Sequence, residues 1–111
     1  MITFDEIVKL HSELWPDVTL DGQLAKFDEE HNEYKQALYG TEESLYELAD
    51  MIIVSAGIAR FDYTYAMGLL SDTLYTAEFS ISDIWEAVEK KLEKNRNRKW
   101  GKNKEGLYHH I

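Results

Sequence analysis

The strongest constraint on this chain lies in residues 48 to 59, Leu-Ala-Asp-Met-Ile-Ile-Val-Ser-Ala-Gly-Ile-Ala, where Asp50 and Ser55 are the only strongly polar side chains. Thr41 is placed to cap a helix running through this segment. A helix that is apolar nearly all round must be covered on several sides, so it predicts the central member of a bundle.

The rest of the sequence supplies the neighbours. Thr3 followed by Glu6 reads as a capping box, and Phe4, Ile7, Val8, Leu10, His11 and Leu14 recur at helical spacing up to Trp15-Pro16. Leu20, Leu24, Phe27, His31, Tyr34 and Leu38 mark one face of a second helix, expected to end near Gly40. Residues 63 to 79 are less regular, but Met67, Leu70, Leu74 and Ala77 or Glu78 suit a short fourth helix. Ser80 or Ser82 opens a fifth, read over residues 82 to 98, with Ile84, Trp85, Val88 and Leu92 inward. No segment shows the period-two alternation of a strand. The expected fold is all-α, a four- to five-helix bundle over residues 1–101, followed by a C-terminal tail over 102–111.

Size and composition agree. A chain of 111 residues has room for one core, and its single proline and six glycines leave few helix breakers. The absence of cysteine excludes disulfides, thiolate zinc sites and cysteine nucleophiles, so any metal must sit on oxygen or imidazole. The segment Met1-Ile2-Thr3-Phe4-Asp5-Glu6 carries acid where a signal peptide needs base, and no apolar run approaches the roughly 20 residues of a membrane span. These features predict a cytoplasmic protein with no membrane partner.

Charge is unevenly spread. Residues 89 to 111 hold eight of the twelve Lys and Arg against three acids, a net of +5, whereas the first 88 residues hold four bases against eighteen acids, a net of −14. Such a body repels polyanions unless cations intervene, although acidic helices also serve simply to keep a small protein in solution.

The chemistry-bearing pattern lies on the second and third helices. Glu30 and Glu33 stand three residues apart, and Glu47 and Asp50 repeat the spacing. Residues at i and i+3 share a helix face, so two antiparallel helices joined through Tyr39-Gly40-Thr41 can aim four carboxylates at one point. Hard oxygen ligands of this kind suit Mg²⁺, with Mn²⁺ also accommodated. Acidic pairs at this spacing also arise by chance on solvated faces. Asp50 is different, because it lies within the most apolar segment, where an unpartnered carboxylate costs several kcal/mol or takes up a proton. Residues 41 to 59 contain no Lys or Arg, so its partner is either a base from another helix or a metal.

Three segments carry a family resemblance. Lys26-Phe27-Asp28-Glu29-Glu30-His31-Asn32-Glu33 and Glu47-Leu48-Ala49-Asp50 resemble the paired EExxE and ExxD signatures of MazG-type all-α NTP pyrophosphohydrolases. The run Lys91-Leu92-Glu93-Lys94-Asn95-Arg96-Asn97-Arg98-Lys99-Trp100-Gly101 is similar to a basic segment of small, often phage-borne members of that group. The resemblance covers residues 20 to 101. It implies hydrolysis of a nucleoside triphosphate to the monophosphate and pyrophosphate, with metal held by Glu30, Glu33, Glu47 and Asp50. It also implies a homodimer or homotetramer in which helices from two subunits complete the active site.

Beside these ligands, Glu29 is a candidate to orient or deprotonate water, an exposed helix-surface role being its alternative. Lys91, Asn95 and Arg98 fall at i, i+4 and i+7 of the expected fifth helix and are candidates to meet phosphates, as is Lys26. The alternative for the basic set is a solvated C-terminal turn complementing the helix dipole.

Other classes fit less well. A di-iron carboxylate bundle needs two Glu-x-x-His pairs, which are absent, and His109-His110 fall in the expected tail. A non-catalytic helical dimerisation module would explain the apolar third helix and the aromatic content as interface. Phosphoribosyl-ATP pyrophosphohydrolase is a related enzyme with similar carboxylate spacing, but Met51-Ile52-Ile53-Val54 lacks the aromatic and histidine associated with that branch. Nucleic-acid binding through residues 90 to 104 is opposed by the acidic body and by the lack of a recognisable reading module.

Overall fold

The computed structural model describes residues 1–102 and 108–110. Five helices follow in order: α1 (Phe4–Leu14), α2 (Leu20–Gln36), α3 (Glu42–Ala59), α4 (Tyr63–Tyr75) and α5 (Ile81–Arg96). The all-α bundle expected from the sequence is therefore present. Each helix opens on an oxygen-bearing cap, from Thr3, Thr19, Thr41, Asp62 and Ser80 in turn, whose side chain accepts a backbone N–H of the first turn. At Thr3 the reciprocal bond from Glu6 completes the capping box.

α3 is the axle of the molecule. Every residue from 51 to 59 is buried, and the helix packs against each of the other four. Ile52 and Ile58 are fully enclosed, as are Ile7 from α1 and Ile84 and Val88 from α5. Each such side chain contributes roughly 1.5–3 kcal/mol by leaving water. The outer helices touch one another only marginally. Among the described residues, no helix is long and apolar enough to cross a membrane.

Several boundaries differ from expectation. α2 stops at Gln36, short of Gly40, because residues 38 to 41 form a turn of their own. Thr41 donates both its backbone N–H and its hydroxyl to the Leu38 carbonyl, and Gly40 adopts a left-handed φ of 80°. Leu38 is consequently exposed, as is His31, while the buried line of α2 is Gln23, Phe27 and Glu30. Of the apolar face expected for this helix, Leu20, Leu24, Phe27 and Tyr34 do pack on the core, while His31 and Leu38 do not. α5 begins one residue before Ser82 and ends at Arg96, so Arg98 lies beyond it. The expected absence of strands is also corrected: Trp100–Lys102 pairs antiparallel with Tyr108–His110. Three-residue strands are too short for alternation to register in a sequence. Lys102 Nζ lies 2.6 Å from Asp17 Oδ2, and the Tyr108 hydroxyl also donates to Asp17, tying this hairpin to the connection between α1 and α2. Residues 103–107 and 111 of the expected tail lie outside the described residues.

Candidate metal centre and cleft

A cleft of about 440 Å³ runs between α2, α3 and α5. All nine residues singled out from the sequence line it: Lys26, Glu29, Glu30, Glu33, Glu47, Asp50, Lys91, Asn95 and Arg98. They come from three places in the chain. α2 contributes successive turns of its acidic side, α3 the turn preceding its fully buried half, and α5 its basic end.

Glu30, Glu47 and Asp50 converge most closely, each offering a carboxylate oxygen within 4.8 Å of the others. Two unit charges at that distance repel by roughly 3 kcal/mol at an effective dielectric of about 20. Burial adds to the cost, since Glu30 is only 7% exposed. Both effects push protons on. Burial first, and then the charge of Asp50, raise the Glu30 carboxyl to about 8 and the Glu47 carboxyl to about 7. Asp50 is also raised by burial, against the opposing pull of Lys91. Glu33 is exposed, and its neighbouring charge raises both Glu30 and Glu47 further.

Cations offset part of this charge. Lys91 Nζ lies 3.2 Å from Asp50 Oδ2, so of the two partners open to Asp50 the fold provides a base from another helix. Lys26 reaches Glu29 at 3.3 Å and Glu30 at 3.4 Å. The compensation is incomplete: Glu30 Oε2 and Glu47 Oε2 are buried and have no hydrogen-bond partner among the described residues. Two orphaned carboxylate oxygens beside a third carboxylate form an oxygen donor set for a hard divalent ion, and the acidic cluster fits a metal site. Asn95 is buried at the wall of the cleft, and Arg98 remains there although it has left the helix.

The far end of the cleft is lined by His11, Gln23 and Trp15, in contact with Arg60 and Gly57, a group that the sequence did not mark as a site. Arg60, the C-cap of α3, donates to the Trp15 carbonyl at 2.7 Å and the Pro16 carbonyl at 3.0 Å. The same guanidinium lies 3.0 Å from His11 Nδ1, and His11 Nε2 lies 3.0 Å from Gln23 Oε1. Gly57 makes this possible, because a Cβ there would fall on Gln23 Oε1 and His11 Nε2. Burial, then the adjacent Arg60 charge, lower the His11 imidazole to about 3, so it is neutral. Trp15 packs edge-on against both His11 and Trp100, with ring centroids 4.7 and 5.0 Å apart. One signal was available: Arg60 is the only base between Lys35 and Lys90, a lone cation closing an apolar helix.

No protein-family profile matches the chain, and no curated protein does. Among solved structures it is similar to a cyanophage S-2L MazG-like pyrophosphohydrolase bound to dGDP and three catalytic Mn²⁺ ions per active site. The two share 25% identity over 99% of this chain and 94% of the other, with a TM-score of 0.45.

Proposed function

We propose that the protein is a Mg²⁺-dependent nucleoside triphosphate pyrophosphohydrolase, converting an NTP or dNTP to the monophosphate and pyrophosphate. The observation that carries this reading is the pair of orphaned oxygens, Glu30 Oε2 and Glu47 Oε2, on two of three carboxylates that converge in a cleft also lined by Lys26, Lys91 and Arg98. A structural cluster gains nothing from burying acids it leaves unpaired, whereas a cation site needs oxygens without competing donors.

In this reading Glu30, Glu33, Glu47 and Asp50 hold Mg²⁺, or Mn²⁺ in its place. A divalent ion bound there neutralises phosphate charge and makes water more acidic. The chain's own groups do the rest. Glu29, whose carboxylate shares Lys26 with Glu30, accepts a proton from the attacking water. With Asp50 engaged by a cation, Lys91 would be free to meet phosphate oxygens, and Asn95, Arg98 and Lys26 would flank the same anion. We further place the protein in the cytoplasm as a homodimer or homotetramer whose second subunit completes the site. The exposed aromatic rings of Phe61, Tyr63, Tyr65 and Tyr75 offer surface for such an assembly.

A second reading has one observation of its own. The Lys91 to Asp50 ion pair is what a non-catalytic helical module would use to satisfy its buried acid. The deciding experiment measures pyrophosphate release from a panel of ribo- and deoxynucleoside triphosphates and phosphoribosyl-ATP, with Mg²⁺, Mn²⁺ or EDTA, using wild type and Glu47→Gln. Metal-dependent release that disappears in the variant supports the enzyme. Silence across the whole panel rejects it in favour of the module, and turnover of phosphoribosyl-ATP alone would reassign the substrate.

A further inference from the structure

The cluster at the far end of the cleft has a fixed hydrogen-bond polarity, and that polarity follows from one residue that cannot change roles. Arg60 carries donors only, so His11 Nδ1, 3.0 Å from its guanidinium, must accept. A neutral imidazole that accepts at Nδ1 carries its proton at Nε2. His11 Nε2 therefore donates, and the Gln23 atom 3.0 Å away must be the amide oxygen. The amide of Gln23 is thereby held with its carbonyl turned toward His11. Its NH₂ group has no hydrogen-bond partner among the described residues, although Gln23 is only 7% exposed and lines the cleft. Gln23 is also seven residues from Glu30 on the same side of α2, roughly 10 Å along the helix axis. Gln23 thus lines the cleft about two turns from the acidic cluster, and Trp15, Trp100 and Tyr108 line it too.

We infer that Gln23 is a specificity-determining residue that selects nucleobases presenting a carbonyl oxygen, guanine and uracil or thymine, over those presenting an amino group there, adenine and cytosine. This rests on the nucleotide reading of the cleft given above. An unconstrained glutamine offers one donor and one acceptor side by side, the arrangement that pairs with adenine. Here the carbonyl is turned away and only donors are offered. An amino group placed against them meets like with like and forms no bond, which a site built to hydrogen-bond its ligand disfavours. His11 and Arg60 are positioning residues: they set which end of the amide faces the base and do not touch it.

The test is binding rather than turnover, so that it fails separately from the proposed reaction. Calorimetric titration of the protein with dGMP, dTMP, dAMP and dCMP, each with Mg²⁺, should give affinities for dGMP and dTMP at least about tenfold above dAMP and dCMP. Gln23→Glu removes the donors and should abolish or invert that ratio. Gln23→Met, close in volume, should flatten it. His11→Phe keeps a ring against Trp15 but frees the amide to turn, and should narrow the ratio severalfold. A general structural role for His11 would weaken all four nucleotides alike. Equal affinities in the wild type, a ratio unmoved in both Gln23 variants, or no binding of any of the four would overturn the inference. Pyrophosphate release without base discrimination would leave the proposed reaction standing and remove this assignment. Discrimination without pyrophosphate release would do the reverse.

Discussion

The two ends of the cleft are both buried polar clusters, and they are built on opposite principles. At one end Arg60, His11 and Gln23 form a chain in which His11 uses both ring nitrogens and Arg60 meets three acceptors. At the other, Glu30, Glu47 and Asp50 crowd together with two oxygens left bare. The first end has bare groups of its own among the described residues, Trp15 Nε1 and the Gln23 amide N–H, but its chain of bonds fixes a shape, whereas crowded carboxylates store free energy that a ligand can release.

The largest effect is expected where the crowding is greatest. Asp50→Asn should lower pyrophosphate release on the order of a thousandfold, about 4 kcal/mol of barrier, while the metal-free protein melts at the same temperature or higher. Paired activity and calorimetric measurements check it, and a variant that melts well below wild type would make Asp50 a structural partner of Lys91 instead. Next, Gly57→Ala forces a methyl onto Gln23 and His11 and should cost about 2–3 kcal/mol, a drop of roughly 10 °C or more in Tm. A melting point within 2 °C or so of wild type would show that the hydrogen-bonded end is softer than it looks.

The pH response should separate the two ends by sign. Glu30 and Glu47 titrate at about 8 and about 7 in the folded state against 4.5 ordinarily, so folding takes up protons between those values. Their contribution to metal-free stability is full below about pH 4.5 and is lost as pH rises through 7 to 8. His11 acts oppositely. Its folded value of about 3 against 6.5 makes the unfolded chain the proton acceptor, so stability falls as pH drops from 6.5 toward 3. Denaturation curves from pH 4 to 9 should show an alkaline decline that Glu30→Gln reduces and saturating Mg²⁺ removes. A decline unmoved by either would refute the coupling.

The smallest effect belongs to Lys91→Met. Both partners of its ion pair are partly solvated, at 18% and 23% exposure, and Asp50 can take up a proton in compensation. The expected cost is below about 1 kcal/mol in thermal melts. A loss of several kcal/mol would favour the non-catalytic module.

Much of this was legible in the sequence because it depended on local pattern. Thr3 with Glu6 and Thr41 before an apolar run announce helix starts, and the all-round apolarity of residues 48 to 59 demands neighbours on every side. The i, i+3 acid pairs were readable for the same reason, since helix geometry alone puts each pair on one face. What escaped depended on contacts far apart in sequence. His11 meets Gln23 across 12 positions and Arg60 across 49, and neither separation leaves a periodic trace. On the second helix Leu20, Leu24, Phe27 and Tyr34 pack on the core as their spacing implied, but the deeply buried line also takes in Gln23 and Glu30, which apolar spacing could not mark, and His31 and Leu38 stay exposed. Arg98 was expected on the stripe of Lys91 and Asn95, but the chain leaves the helix at Arg96 and returns Arg98 to the cleft by another path.

The packing of α3 also has a mechanical meaning. Its four neighbours lean on it and scarcely on each other, so the bundle resembles spokes on a hub more than staves in a barrel. α2 and α5 both wall the cleft, and each is seated on α3 rather than on the other. The spacing of the acids on α2 from Lys91 on α5 is therefore inherited from α3, and a change in the core of α3 reaches both walls at once.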